Sequence, residues 1–117
     1  LVPIQAEYYA LEGVGMLNQT IELIQDYLNP TLTWEGVLLT MYDGRTNLSE
    51  QVADEVENVF GDLVFDTMIP RNVRLSEAPS YGQPIIRYDN SSRGAKTYRR
   101  LTREFLDRNQ FVSHRVA

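Results

Sequence analysis

Three short apolar runs alternate with two amphipathic stretches over the first 70 residues, and this alternation constrains the fold most. Residues 1–5, 34–42 (WEGVLLTMY) and 63–69 have the length and content of buried strands. Between the first two, Leu17, Ile21, Ile24 and Leu28 recur at spacings of 4, 3 and 4, which predicts one apolar face on a helix over residues 10–28. Asn29-Pro30 ends it, because the residue before proline avoids helical geometry. A second helix follows, capped by Asn47 or Ser49. Its predicted inward face is Leu48, Val52, Val56 and Val59, and Gly61 stops it. Strands that alternate with helices in this way run parallel and connect through right-handed crossovers, so the expected class is α/β.

The remainder is less regular. Residues 70–84 read as a long connection rich in turn residues, with room for one helical turn around Ser76-Glu77-Ala78. Pro84-Ile85-Ile86 reads as a short edge segment. Ser91 or Ser92 caps a third helix to about residue 107, with Ala95, Tyr98, Leu101 and Phe105 inward. Three or four parallel strands make a narrow sheet with exposed edges. The chain also opens inside a predicted strand with no initiator Met. Both features predict a portion of a larger protein.

Composition narrows the chemistry. The 117 residues contain no cysteine, which excludes a disulfide scaffold, a Cys-based zinc site and a cysteine nucleophile. One histidine, His114, lies near the C-terminus, so no His-rich metal site or Ser-His-Asp triad is expected. Asp43, Glu77 and Asp89 are loop carboxylates with no sign of convergence, so neither a catalytic pair nor a metal site is assigned. No apolar run approaches the ~18 residues that suggest a membrane span. Net charge is −5 and uneven. Residues 1–90 hold 4 Arg against 14 acids, a net of −10, and residues 91–117 hold 7 basic residues against 2 acids, a net of +5.

Gly94-Ala95-Lys96-Thr97 superficially resembles the end of a phosphate loop. The required glycines fall on Asn90 and Ala95, and the segment lies within a helical pattern, so no phosphate loop is assigned. Lys96, Arg99/Arg100 and Arg103 form a basic stripe. Two readings stay open for it: a solvated helix face, or a surface for nucleic-acid backbone. Arg45, Arg71 and Arg74 follow predicted strand ends, where parallel α/β sheets bind ligands.

Beyond these patterns, QAEYYALEG (residues 5–13), EGVLLTMYDGRTNL (35–48), IPRNVRLSEAPSYG (69–82), Tyr88-Asp89 and SRGA (92–95) occur in one order. Together they resemble the ParA/Soj family of chromosome- and plasmid-partitioning ATPases, over residues 1 to about 106. The resemblance is to the C-terminal half of that family. It implies a partial parallel sheet with flanking helices, within a P-loop NTPase fold of the deviant Walker A, MinD/ParA-like type. Residues 1–108 would belong to that ATPase domain and residues 109–117 would be a flexible tail.

By position, the resemblance implies an adenine-side wall made of Thr40, Met41, Pro70, Arg71, Asn72, Leu75, Ala78 and Pro79. It implies DNA contacts from Arg45, Arg74 and Arg93. Phosphate-gripping and magnesium-binding residues of the family have no counterpart in this chain, so it is expected to turn over no ATP alone. ATP and Mg belong to the parent family, and neither is expected to bind this portion tightly. The implied partners are DNA without sequence preference, a centromere-binding ParB-like protein and a second copy, in the cytoplasm at the nucleoid and with no membrane. Gly44 replaces a common Ala, Tyr81 and Gln83 stand where His and Lys are frequent, and Asn90 and Ser91 replace Pro and a frequently basic residue. The last two pairs lower the positive field near the DNA surface. Two rival readings remain: a stand-alone interaction module that self-associates or pairs with a full-length relative, and a nucleic-acid binder independent of nucleotide.

Overall fold

The computed structural model describes residues 1–110. Its sheet has two parallel strands, β1 (Val2–Gln5) and β2 (Val37–Thr40), joined through helix α1 (Ala10–Tyr27). Val2 pairs with Val37, Pro3 with Leu38, Ile4 with Leu39 and Gln5 with Thr40. β2 is buried on both faces, and Val37 and Leu39 are fully enclosed. The apolar run predicted as a strand over residues 34–42 is thus regular only at its centre.

One face of the sheet carries Ile4, Val37 and Leu39 against Val14 of α1 and Val52, Ala53 and Val56 of helix α2 (Asn47–Phe60). On the other face, Leu38 packs with Phe65, Ile69 and Leu101, the last from helix α5 (Arg93–Asn109). These layers are helix, sheet and helix, as the alternation predicts.

α2 is capped one residue earlier than expected: Thr46 accepts the Ser49 N–H at 3.2 Å. Its buried face is Ser49, Val52, Ala53 and Val56, whereas Leu48 and Val59 are exposed. The predicted stripe is therefore rotated, because small Ala53 and Ser49 let the helix approach the sheet. α1 departs more. Only Val14 is buried, Ile21 and Ile24 are half-buried, and Leu17 and Leu28 are exposed. Its 18 residues extend about 27 Å, while four-residue strands extend about 13 Å, so the helix outruns the sheet that should cover it.

The expected third strand over residues 63–69 does not form as a regular strand. A 3-10 turn takes Gly61–Leu63, and isolated parallel bridges join Val37 to Val64 and Tyr42 to Pro70. Phe65 N–H donates to Val37 O and Ile69 N–H to Leu39 O, both at 2.9 Å. The segment thus advances four residues where β2 advances two, and residues 66–68 bulge out. Glu104 of α5 accepts the N–H groups of Asp66 and Thr67 at 2.7 and 2.9 Å, in place of a ladder. Gly36 is required beside this crossing: a Cβ there would lie 2.5 Å from Phe65 Cε2 and 2.9 Å from Leu63 O.

After Pro70 come α3 (Val73–Glu77), a 3-10 turn over Ala78–Tyr81 and α4 (Ile85–Tyr88). The segment at Pro84 to Ile86 is therefore helical, and not a sheet edge. Pro84 O accepts the N–H groups of Arg87 and Tyr88, and Ile85 is buried against Ala78 and Ala95. Ser92 caps α5 by accepting the Ala95 N–H at 3.1 Å. Ala95 and Leu101 are buried, and Tyr98 and Phe105 half-buried, on the predicted face. α5 continues to Asn109, one residue into the predicted tail, and the rest of that tail beyond Gln110 lies outside the described residues.

Candidate nucleotide and DNA surfaces

The tip of β2 meets the loop that follows residue 69. Tyr42 N–H donates to Ile69 O at 3.1 Å, and Arg71 N–H donates to Tyr42 O at 3.0 Å. These bonds seat Pro70, Arg71 and Asn72 beside Thr40 and Met41. Met41 has φ 53°, a left-handed conformation that is uncommon outside glycine. The Asn72 side-chain oxygen is buried and has no partner among the described residues. Leu75, Ala78 and Pro79 lie further along, on a separate apolar cleft of about 390 Å³ that also touches Ile85, Ile86 and Tyr98. The eight residues of the predicted wall are therefore divided between two neighbouring regions.

Beyond Tyr42 the chain turns at Asp43. Its carboxylate accepts Arg45 Nε–H at 3.0 Å, Arg45 Nη2–H at 3.1 Å and the Arg45 backbone N–H at 3.1 Å. Those Arg45 bonds, side chain first, hold the Asp43 carboxyl below its ordinary range. Tyr42, Asp43, Gly44, Arg45, Arg71 and Arg93 line one polar cleft of about 400 Å³. Arg71 reaches a carboxylate only loosely, with Glu7 at 3.9 Å. Arg45 and Arg93, predicted for DNA, thus stand together, and the Arg71 side chain joins them.

Arg74 stands apart from that cleft. Its Nη1 lies 3.2 Å from Glu77 Oε2 and its Nε lies 3.4 Å from Asp89 Oδ2. The Tyr88 hydroxyl donates to the same Glu77 oxygen, and the Tyr88 ring stacks on Tyr81 at 5.1 Å between centroids. The bond to Glu77, with burial, pushes the Tyr88 hydroxyl above its ordinary range. Sequence spacing could have found Glu77, three residues along a helix from Arg74. Nothing local marked Tyr88 or Asp89 as partners.

Two basic residues of α5 are committed to structure, Arg99 of the predicted stripe and Arg108 beyond it. Arg99 donates to the Asn90 side chain at 2.7 Å and to Asn90 O at 3.0 Å. Arg108 donates to Val64 O at 2.8 Å, pairs with Glu104 at 3.1 Å and lies 4.0 Å above the Phe65 ring. Lys96, Arg100 and Arg103 remain exposed. Gly94 and Lys96 lie within α5, and Gly94 is a packing position: a Cβ would meet Leu75 Cγ at 2.5 Å. Among the described residues no group of three or more His, Cys, Asp or Glu side chains is placed to hold a metal ion. No helix among them is long and apolar enough to cross a membrane.

The chain is similar in sequence to several curated proteins. The chain is 59% identical over 104 residues to the sporulation initiation inhibitor protein Soj of Bacillus subtilis, covering 89% of this chain and 41% of that protein. It is 52% identical over 109 residues to the chromosome partitioning protein ParA of Myxococcus xanthus, covering 93% and 38%. It is 54% identical over 110 residues to the chromosome-partitioning ATPase Soj of Thermus thermophilus, covering 94% and 44%. The chain thus spans about two fifths of the length of these curated relatives. Residues 5–85 match the family described as the CobQ/CobB/MinD/ParA nucleotide binding domain, and the chain belongs to that family.

Proposed function

We propose that this chain is the C-terminal portion of a ParA-like partitioning ATPase. In this reading it supplies the adenine-side wall and a surface that binds DNA without sequence preference. The seam between Tyr42 and residues 69–71 carries the reading, because it brings the predicted base-binding loop to the tip of β2. A flat base needs apolar contact and polar groups at its edge. Thr40, Met41, Pro70, Arg71 and Asn72 offer both, and the buried Asn72 Oδ1 is an acceptor in want of a donor. Leu75, Ala78 and Pro79 extend the apolar side. These residues fit the purine end of ATP. In this reading the chain's own role is to bind and orient the base.

Arg45, Arg93 and Arg74 are the proposed phosphate contacts. Backbone contacts of this kind neutralise phosphate, tolerate any sequence and weaken with salt. Arg45→Ala and Arg74→Ala should each lower duplex affinity at low salt and reduce the salt slope by about 1. Unchanged affinity in both variants refutes the surface. The 117-residue chain alone is expected to hydrolyse no ATP, and turnover that persists in highly purified protein overturns that expectation. A ParB-like centromere-binding protein and a second ParA-like copy are the proposed partners, in the cytoplasm at the nucleoid.

One observation favours self-association as a second reading. Met16, Leu23 and Tyr27 of α1, and Leu28 just after it, are exposed, and a groove of about 590 Å³ runs between β1 and α1. A clean monomer in light scattering at micromolar concentration counts against it.

A further inference from the structure

The Arg74 guanidinium is flanked by carboxylates from two separate segments, Glu77 of α3 at 3.2 Å and Asp89 after α4 at 3.4 Å. The Glu77 carboxylate is itself oriented, because the Tyr88 hydroxyl donates to the oxygen that faces Arg74. Tyr88 is in turn held by its stack on Tyr81. The Arg74 side chain remains about half exposed, so an incoming ligand can reach it. An arginine that must meet a phosphate therefore stands between two carboxylate acceptors, and a phosphodiester oxygen has to displace or share them. The other arginines differ. Arg45 has one carboxylate partner, Arg71 has one at 3.9 Å, and Arg93 has no ion-pair partner among the described residues.

We propose that Glu77, Asp89 and Tyr88 form a clamp that competes with DNA phosphate for Arg74 and so holds the affinity of this surface down. The clamp rests on the reading that Arg74 contacts DNA. Glu77 and Asp89 are positioning residues that act through Arg74. Exposed pairs of this kind are individually weak, so the clamp attenuates binding and does not abolish it. It also fixes the guanidinium in one place, which makes Arg74 a tuned contact and leaves Arg93 as a free one.

The test is duplex binding by fluorescence anisotropy at low salt, using the full 117-residue chain and a labelled DNA of arbitrary sequence. Glu77→Gln keeps an acceptor for Tyr88 and removes the charge; Asp89→Asn removes the charge at the second site and keeps an acceptor for the Ser91 hydroxyl. Each should tighten binding about threefold, and both together about tenfold. The gain must vanish when Arg74→Ala is added. Asp26→Asn, an exposed acid on α1, serves as the control for net charge. Circular dichroism melts confirm that every variant folds.

A gain that persists in the Arg74→Ala background, or one matched by Asp26→Asn, overturns the clamp, because it is then a general charge effect. If Arg74→Ala weakens binding while Glu77→Gln and Asp89→Asn leave it unchanged, the clamp alone fails and the DNA reading stands. If Arg74→Ala binds as the unaltered chain does, Arg74 is no DNA contact, and the clamp fails together with the part of the DNA reading that assigns Arg74.

Discussion

Glu104 takes the N–H groups of Asp66 and Thr67 on its two oxygens and pairs with Arg108 one turn along α5. Burial alone would raise its carboxyl pKa. The bonds from Thr67 and Asp66, with the Arg108 charge, more than offset this and lower it below the ordinary 4.5. A group with a depressed folded pKa stabilises the fold fully above its unfolded value and loses that contribution as pH falls through the folded one. Stability should therefore begin to fall below about pH 4.5 and continue falling under it. Glu104→Gln should cost about 1–3 kcal/mol at pH 7 in a denaturant titration, and should flatten the acid limb of the stability profile. Spacing alone suggests the Arg108 pair, but the Glu104 contacts to Asp66 and Thr67 were not legible in the sequence, because those backbone N–H groups lie 38 and 37 residues away. The Arg45–Asp43 pair, by contrast, lies within one turn and was open to local reading.

At the scale of elements, the helices were more legible than the strands. α5 shows its inward face in its own spacing, and Ser92 is a capping residue at the right place. Ser92→Ala should cost about 1 kcal/mol, read as a lower melting temperature. Leu101→Ala should cost about 2–5 kcal/mol, because it empties the contact with Leu38, Phe65 and Ile69. Gly36→Ala should also destabilise the chain, since its Cβ would collide with the Phe65 ring and the Leu63 carbonyl. Chemical denaturation checks both. The third apolar run looked like a strand because apolar content cannot distinguish a ladder from a bulged crossing. The bulge follows from the offset between Phe65 on Val37 and Ile69 on Leu39, a long-range register that local composition does not encode.

At the scale of the whole molecule, two parallel strands cover too little of α1. The exposed Leu23 and Tyr27, one turn apart on that helix, and Leu28 at its end form an apolar patch. If this face drives self-association, Leu23→Glu should shift the light-scattering mass toward monomer at the same concentration. The circular dichroism spectrum should stay unchanged, because Leu23 contributes little to the core. The sequence by itself determined the α/β class, the parallel connection and the family, since these depend on periodicity and on strings of residues close along the chain. The tertiary structure alone decided which basic residues stay free. Arg108 is drawn onto carbonyls and an aromatic ring, Arg74 is bracketed by Glu77 and Asp89, and Arg93 is left to face the cleft beside Arg45. The physical reason is that periodicity records which face of an element is apolar, whereas an arginine's partners depend on segments that meet only after packing.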